Sequence, residues 1–188
     1  MNNTEYKKRH LSGLKDLFLL FRSTFSHMKE FKSVPEEKKV SPNFSEKLML
    51  AVTGVNSCVN CSYLHTKTAL EKGVSQAEIQ KLLSCEFGSF SEEEAVGLAY
   101  AEHWCETGGN PSAKTRQRLL NRYGPETTHS IEGYIRMIYM GNLICNTVEA
   151  YQKGVRYSGK GFSFFFTFLF CLPMASMIRK RSYNLKTK

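Results

Sequence analysis

The fold of this chain is decided by the stretch EKLMLAVTGVNSCVNCSYLH, residues 46–65. Its apolar residues predict one helix over about 45–55, and a second helix should begin near Asn56 or Ser57, either of which can cap it. This second helix should end at Gly73, because glycine favours the left-handed backbone that follows a helix. Since the connection is short, we expect the two helices to form an antiparallel hairpin.

The rest of the chain also carries helix signals and lacks alternating strand patterns. Further helices are predicted within residues 4–31, after the capping boxes at 75–78 and 91–94, from Asn110-Pro111 to about Gly124, and over about 126–152. The apolar face of the first helix should consist of Leu11, Leu14, Phe18, Phe21 and Phe25. The sequence therefore predicts an all-α domain at residues 1–160, built around the hairpin, and a hydrophobic, basic tail at 161–188.

The net charge of +9 is concentrated at the C-terminal end of the 188 residues. Residues 1–150 carry 18 basic and 17 acidic side chains, whereas the remainder holds eight basic residues and no acidic one. A domain that binds nucleic acid is expected to show a basic face on its folded body, or aromatic platforms inside a recognisable module. We therefore expect no nucleic-acid partner.

The role of the six cysteines depends on whether the protein is located in a reducing or an oxidising compartment. The apolar run at 14–21 does not resemble an export signal, because Lys15 and Asp16 interrupt it. A cytoplasmic, reducing location is therefore expected, and there a C-x-x-C pair is typical of catalysis or metal binding. The four cysteines outside that pair are interpreted as small buried hydrophobic residues: Cys85, Cys105, Cys145 and Cys171.

Cys58, Cys61 and His65 are spaced so that all three lie along one face of a helix. Two cysteines three positions apart on a helix can close into a disulfide with little backbone movement, which favours redox chemistry. Zinc is the main chemical alternative, although the sequence shows no pattern for a fourth ligand. A third interpretation is that the three residues are simply packed in the core.

Glu46 adds a fourth member to this group. In an antiparallel hairpin it lies about as far before the bend as His65 lies after it, so the two side chains should meet. A carboxylate that accepts a hydrogen bond from one imidazole nitrogen leaves the other nitrogen free to exchange a proton with a thiol.

These residues resemble a known family. A glutamate twelve residues before a C-x-x-C, with a histidine four residues after the second cysteine, resembles the AhpD-like alkylhydroperoxidase branch of the carboxymuconolactone decarboxylase superfamily. The resemblance covers about residues 40–150. It implies an AhpD-like helical fold, assembly as a trimer or hexamer, and a thiol-dependent peroxidase or disulfide oxidoreductase that needs no cofactor.

The resemblance also implies roles for the four residues. Cys61 would attack the hydroperoxide, Cys58 would resolve the sulfenic acid as a disulfide, and Glu46 with His65 would relay the proton. A thiol-containing protein or a small thiol would then reduce the disulfide. The best-known members have a histidine just before the second cysteine, where this chain has Asn60, and an amide cannot shuttle protons near neutral pH.

Two other functions remain open at this point. One is a lyase or isomerase of the same superfamily that acts on a small carboxylate and does not need the cysteines. The other is a non-catalytic, membrane-tethered module whose cysteines bind metal or sense oxidation.

Two asparagines, Asn142 and Asn146, lie one turn apart on the predicted helix at 126–152, which is apolar on most sides. Buried amide groups are nearly always hydrogen-bonded. We expect these two side chains to satisfy buried backbone groups or groups at a subunit interface.

The tail contains 17 residues without a charge, 162–178, followed by Arg179-Lys180-Arg181. As a helix this segment is slightly short for a bilayer, and Pro173 would kink or end it. The favoured interpretation is a membrane contact through residues 162–181, because apolar segments with basic flanks bind anionic lipid surfaces. A contact buried between subunits is the alternative.

Overall fold

The computed structural model describes residues 8–26 and 39–153, and within these ranges the chain forms six helices and no strand. The helices are α1 (Leu14–Ser26), α2 (Pro42–Asn56), α3 (Val59–Glu71), α4 (Gln76–Leu83), α5 (Glu92–Glu106) and α6 (Ala113–Gln152). The prediction of an all-α, AhpD-like domain is confirmed. The predicted domain boundary at residue 160 and the tail lie outside the described residues.

Helix α2 lies at the centre of the domain and contacts α3, α4, α5 and α6. Four of its apolar side chains are completely buried: Leu48, Leu50, Ala51 and Val52. Each buried leucine or valine contributes about 1.5–3 kcal/mol relative to an exposed one, so α2 is the main apolar anchor of the fold. The helix begins at Ser41, whose hydroxyl accepts a hydrogen bond from the backbone N–H of Phe44.

The bend between α2 and α3 differs from the prediction in its capping residues. Ser57 has left-handed backbone (φ 52°) and closes α2, its N–H bonding the carbonyl of Gly54. Cys58, rather than Asn56 or Ser57, therefore occupies the N-cap of α3, and its side chain makes no capping hydrogen bond. Cys58 has this position because Ser57 alone reverses the chain at the end of α2, so the next residue is the first that can cap α3.

Glycine is required at position 54 by close packing. A Cβ on Gly54 would lie 2.7 Å from the carbonyl oxygen of Leu83 and 2.8 Å from that of Leu82. These are backbone atoms at the end of α4, so they cannot move aside cheaply. The end of α2 thus fits directly against α4, which fixes the position of the hairpin.

The other helix ends follow the predicted signals. Gly73 has the expected left-handed conformation after α3 (φ 81°). Ser75 and Glu78 form the complete capping box of α4, and Ser91 accepts a hydrogen bond from the N–H of Glu94 at the start of α5. These local hydrogen bonds satisfy donors that a helix start leaves unpaired, so sequence alone was enough to locate them.

Helix α6 is interrupted where the sequence predicted a helix end. Ser112, rather than Asn110, caps its start, and Gly124 has non-helical backbone (φ 73°, ψ 172°) immediately before Pro125. The segment after the break contains most of the buried residues of α6. As predicted, this part is central to the core.

The first helix buries only part of the predicted apolar face: Leu11 and Phe21 lie in a buried cluster with α6, but Phe18 does not. Leu11 and Leu17 are buried against Leu143 and Val148 of α6, whereas Phe18 is 65% exposed. The backbone N–H of Leu11 donates to the hydroxyl of Thr147, which holds the start of this segment on α6. Leu17 and Leu20, which were not part of the predicted face, pack in the same cluster as Phe21.

The sequence predicted a membrane contact through residues 162–181. This segment lies outside the described residues. Across 8–26 and 39–153, no helix combines the length and the apolar character needed to cross a bilayer.

Candidate active site

The hairpin brings together the two residues that its geometry was expected to juxtapose. Nδ1 of His65 on α3 lies 2.8 Å from Oε2 of Glu46 on α2. The other carboxylate oxygen of Glu46 accepts a hydrogen bond from Nζ of Lys72, also at 2.8 Å. Glu46 is only 2% exposed, so its charge is compensated by these two partners inside the protein.

The surroundings of Glu46 determine the tautomer of His65. Burial opposes ionisation of Glu46, but the hydrogen bonds from His65 and Lys72 outweigh it and hold the pKa of this carboxyl below its usual value. An ionised carboxylate can only accept, so Nδ1 of a neutral His65 carries the hydrogen and donates it. Nε2 is then left with a lone pair that can accept a proton.

The two cysteines of the C-x-x-C motif lie side by side at the start of α3. Sγ of Cys58 and Sγ of Cys61 are 2.8 Å apart, and both thiols are unoxidised. A disulfide bond measures about 2.05 Å, so oxidation needs only a short approach of the two sulfurs. The residues are 1% and 7% exposed, respectively, which restricts access to small reactants.

A third sulfur completes the pocket. Cys145 of α6 places its Sγ so that the sulfurs of Cys58, Cys61 and Cys145 all lie within 4.8 Å of one another. Cys145 also packs against the hydrophobic core, as interpreted from the sequence, but its place in this sulfur cluster was not predicted. No local motif marks it, because it stands 84 residues beyond Cys61.

The neighbouring Asn146 explains why α6 meets the hairpin at this point. Its Nδ2 donates to the carbonyl oxygen of Asn56, at the end of α2, and to that of Arg9. As expected, this buried amide satisfies backbone groups. The bond to Asn56 ties α6 to the bend, and Cys145 is thereby held beside the start of α3.

The three sulfurs differ in their affinity for a proton. Hydrogen bonding with the side chains of Cys145 and Cys61 lowers the pKa of Cys58 to about 4, and the backbone N–H of Cys61 adds to this effect. The pKa of Cys61 is raised by its hydrogen bonds with Cys145 and Cys58, and donation to Cys58 raises that of Cys145 to about 12. The lowered pKa of Cys58 favours the thiolate on this sulfur, whereas the raised pKa values of Cys61 and Cys145 favour their thiol forms.

The same cluster offers the ligands that a soft metal ion prefers. It differs from the zinc site considered from the sequence, because Cys145 takes the place of His65, which is bonded to Glu46. Structural zinc normally takes four ligands, and among the described residues no fourth histidine, cysteine or carboxylate belongs to the group.

Asn60 occupies the position at which the best-known AhpD-like proteins have a histidine. It lies on the exposed side of α3. The same helix carries an exposed apolar face made of Val59, Tyr63, Leu64 and Leu70. The departure at position 60 therefore leaves the contact between His65 and Glu46 intact.

A separate cavity of about 590 Å³ lies between α1, α5 and α6. Trp104, Arg136 and Arg22 line it together with leucine side chains, and none of the three clustered cysteines does. Nε1 of Trp104 is buried without a hydrogen-bond partner, and the Arg136 guanidinium lies 4.3 Å from the Trp104 ring. Trp104 is 3% exposed and belongs to the hydrophobic core, so it packs in the core and also forms part of the cavity wall.

A second buried carboxylate was not singled out from the sequence. Glu132 of α6 is 1% exposed and accepts hydrogen bonds from the hydroxyl of Tyr100 (2.7 Å) and from two nitrogens of Arg116 (2.8 and 3.1 Å). It has no motif, because its partners come from α5 and from the segment of α6 that precedes the break at Gly124.

Comparison with known families supports the resemblance seen in the motif. Residues 25–103 match the model of the carboxymuconolactone decarboxylase family. No curated protein and no solved structure gives a significant match. The matched region contains α2, α3, α4 and most of α5, and with them Glu46, Cys58, Cys61 and His65. The predicted resemblance is thus confirmed: residues 25–103 are similar to the carboxymuconolactone decarboxylase family, the superfamily of the AhpD-like proteins.

Proposed function

We propose that the protein is a thiol-dependent peroxidase that reduces hydroperoxides through Cys61 and Cys58. The observation that carries this proposal is the ionised Glu46 that orients His65 one helical turn from a pair of sulfurs 2.8 Å apart. The family domain and the close cysteine pair are consistent with AhpD-like activity. The peroxidase reaction itself is our proposal.

The first step needs a base beside Cys61, because the raised pKa of this thiol favours its protonated form. Nε2 of His65 accepts the thiol proton, directly or through a water molecule, because residues four apart on a helix are neighbours. The thiolate attacks the terminal oxygen of the hydroperoxide and the O–O bond breaks. The departing alkoxide takes the proton from His65 and leaves as an alcohol, while Cys61 becomes a sulfenic acid.

The second step uses the thiolate that Cys58 already carries. Its sulfur attacks the sulfur of the sulfenic acid, an S–S bond forms and the S–O bond breaks. The departing hydroxide takes a proton and becomes water. Because the pKa of Cys58 is about 4, this thiolate is present at neutral pH without a separate base. An external thiol then reduces the disulfide by exchange.

The test adds one equivalent of cumene hydroperoxide to the reduced protein. We expect peptide mass mapping to find Cys58 joined to Cys61, and peroxide consumption to disappear in Cys61→Ser. The matched control is Cys85→Ser, since Cys85 is a free cysteine outside the sulfur cluster and should leave consumption unchanged. Wild-type consumption by Cys61→Ser would refute the proposal.

For the partners, we propose a thiol reductant and a homo-oligomer, a trimer or hexamer. The exposed apolar face of α3 supports an assembly surface, because such faces on single subunits mark interaction sites. Sedimentation at increasing concentration should show a larger species, and Leu64→Glu with Val59→Glu should shift it toward the monomer. A monomer at every concentration would refute the oligomer without touching the peroxidase reaction.

The cavity beside Trp104 favours a second candidate, a lyase or isomerase that acts on a small carboxylate. Two arginines, and an indole N–H that has no hydrogen-bond partner among the described residues, suit an anionic ligand, although Asp16 also lines the cavity and offsets part of the positive charge. Trp104 is the single tryptophan of the chain, so its fluorescence reports on this cavity alone.

Benzoate is a suitable probe for this second candidate. Saturable quenching of Trp104 that weakens in Arg22→Met would favour it, as would turnover of a small carboxylate that survives both Cys58→Ser and Cys61→Ser. Absence of saturable quenching by benzoate would count against it.

A further inference from the structure

We propose that Cys145 is a third redox thiol of the pocket, which forms a disulfide with oxidised Cys61 and so links α3 covalently to α6. The inference deepens the proposed peroxidase function and rests on it for the source of oxidant. It goes beyond the C-x-x-C pair, because α6 lies outside the region that matches the family.

The first support is geometric. The sulfur of Cys145 lies within 4.8 Å of both other sulfurs, which are themselves 2.8 Å apart. The bond from Asn146 to the backbone of Asn56 holds this part of α6 against the hairpin. A rearrangement of side chains can therefore bring Cys145 and Cys61 into bonding distance without separating the helices.

The second support is access. Cys58 and Cys61 are almost completely buried, whereas Cys145 is half-buried. A small hydroperoxide can reach a buried thiol more easily than a reducing thiol on a larger molecule can. Transfer of the disulfide to Cys145 brings an oxidised sulfur to the most accessible of the three positions, where a reductant can attack it.

The third support is the change in charge on oxidation. The pKa of Cys145 is high in the reduced protein because its thiol donates to the Cys58 thiolate. Once Cys58 enters a disulfide, that negative charge is gone, and the main cause of the high pKa disappears with it. Cys145 thus becomes a better nucleophile at the stage when a disulfide is present to attack.

The exchange balances without any added reactant. Cys145 loses its proton and attacks the sulfur of Cys61, a Cys61–Cys145 bond forms, and the Cys58–Cys61 bond breaks. Cys58 leaves as a thiolate, which suits it because thiols of low pKa leave faster and the N–H of Cys61 stabilises its charge. If Cys58 is missing, Cys145 attacks the Cys61 sulfenic acid directly, and the oxygen leaves as water.

The decisive experiment treats Cys58→Ser with one equivalent of cumene hydroperoxide and maps its disulfides. We expect a Cys61–Cys145 linkage at least tenfold above that in untreated protein. In Cys58→Ser/Cys145→Ser the linkage should be absent and dimedone should label Cys61 as a sulfenic acid. The control Cys58→Ser/Cys85→Ser should retain the linkage.

The two proposals can fail separately. If peroxide oxidises Cys61 but neither peroxide nor the thiol oxidant diamide links it to Cys145, the role of Cys145 is overturned and the peroxidase function stands. If diamide forms the linkage and peroxide oxidises no cysteine, the peroxidase function fails instead. Mapping of the acid-quenched wild-type protein provides a test that needs no variant, and complete absence of the Cys61–Cys145 peptide under both oxidants would also overturn the inference.

Discussion

Two buried carboxylates, Glu46 and Glu132, are alike in burial and differ in their partners. Glu46 is 2% exposed and is bonded by His65 and Lys72, whereas Glu132 is 1% exposed and is bonded by Tyr100 and Arg116. Each has therefore replaced its hydration with two donors inside the protein, as a buried charge requires.

The partners decide what each carboxylate can do. Arginine does not give up its proton in proteins, and burial together with the adjacent Glu132 raises the pKa of Tyr100. The network around Glu132 is thus fixed at any ordinary pH. The imidazole of His65 can donate a hydrogen bond from one nitrogen and accept a proton at the other, so of the two networks only the one around Glu46 can participate in proton transfer. Burial of a carboxylate by itself does not mark a catalytic site.

The largest expected effect concerns the fixed network. Glu132→Ala should lower the free energy of unfolding by about 3 kcal/mol, because it leaves Tyr100 unpaired and Arg116 without its counter-charge. Chemical denaturation measures this loss. Tyr100→Phe, which removes one hydrogen bond and keeps the ion pair, should cost only about 1 kcal/mol. Equal losses in the two variants would show that the ion pair contributes nothing.

The next effect concerns the proton-exchanging network. Glu46→Gln should slow peroxide consumption by about a hundredfold, since general acid–base catalysis contributes at least that much. A glutamine amide can either donate or accept a hydrogen bond, so it does not fix the tautomer of His65 as a carboxylate does. The rate of disulfide formation after a pulse of peroxide measures this slowing. Under conditions where it is folded, Glu132→Gln should react at the wild-type rate, and a similar slowing of both variants would contradict the distinction.

A third carboxylate, Glu78, extends the comparison to a partly exposed site. Hydrogen bonds from Lys47 and from the Ser75 hydroxyl lower the pKa of Glu78 to about 2. A lowered pKa contributes stability above the ordinary value of 4.5, and this contribution is lost as the pH falls toward 2.

This contribution can be measured with Glu78→Gln, which preserves the capping box because glutamine can occupy the same position. The variant should be less stable than the wild type by about 1 kcal/mol above pH 5, a value reduced from the full shift because Glu78 is one-third exposed. The difference in unfolding free energy should shrink between pH 4.5 and pH 2. A difference that stays constant with pH would show that the charge of Glu78 is not the cause.

The smallest effect is expected at Lys72. Lys72→Met removes one donor from Glu46 and leaves His65 in place, and water can reach the site because the lysine side chain is 35% exposed. The rate of peroxide consumption should fall by about threefold, or about 0.7 kcal/mol. A loss as large as that in Glu46→Gln would mean that the lysine, rather than the histidine, is the functional partner of this carboxylate.

The parts of the site that the sequence predicted are those with local spacing. The C-x-x-C pair and His65 lie within eight residues, and Glu46 is placed by one short bend. Helix geometry fixes such neighbours whatever the rest of the chain does. The helix starts at Ser75 and Ser91 could be located for the same reason, since a capping bond reaches only three residues.

The incorrect predictions concern features that depend on contacts between residues far apart in the chain. Phe18 belongs to the predicted apolar face and is exposed, whereas Leu17, which was not part of that face, is buried against α6. Cys58 became the first cap of α3 because Ser57 was taken up by the end of α2. In each case two local solutions were nearly equal, and packing against a distant segment decided between them.

By itself, the sequence determined the all-α class, the helix hairpin and the group formed by Glu46, Cys58, Cys61 and His65, because these depend on contacts between residues close in the chain. Only the tertiary structure revealed the third sulfur, Cys145, and the closed network of Glu132. Both depend on how α6 folds back on the rest of the domain. That docking is fixed by the combined burial of many apolar side chains, to which no single motif corresponds.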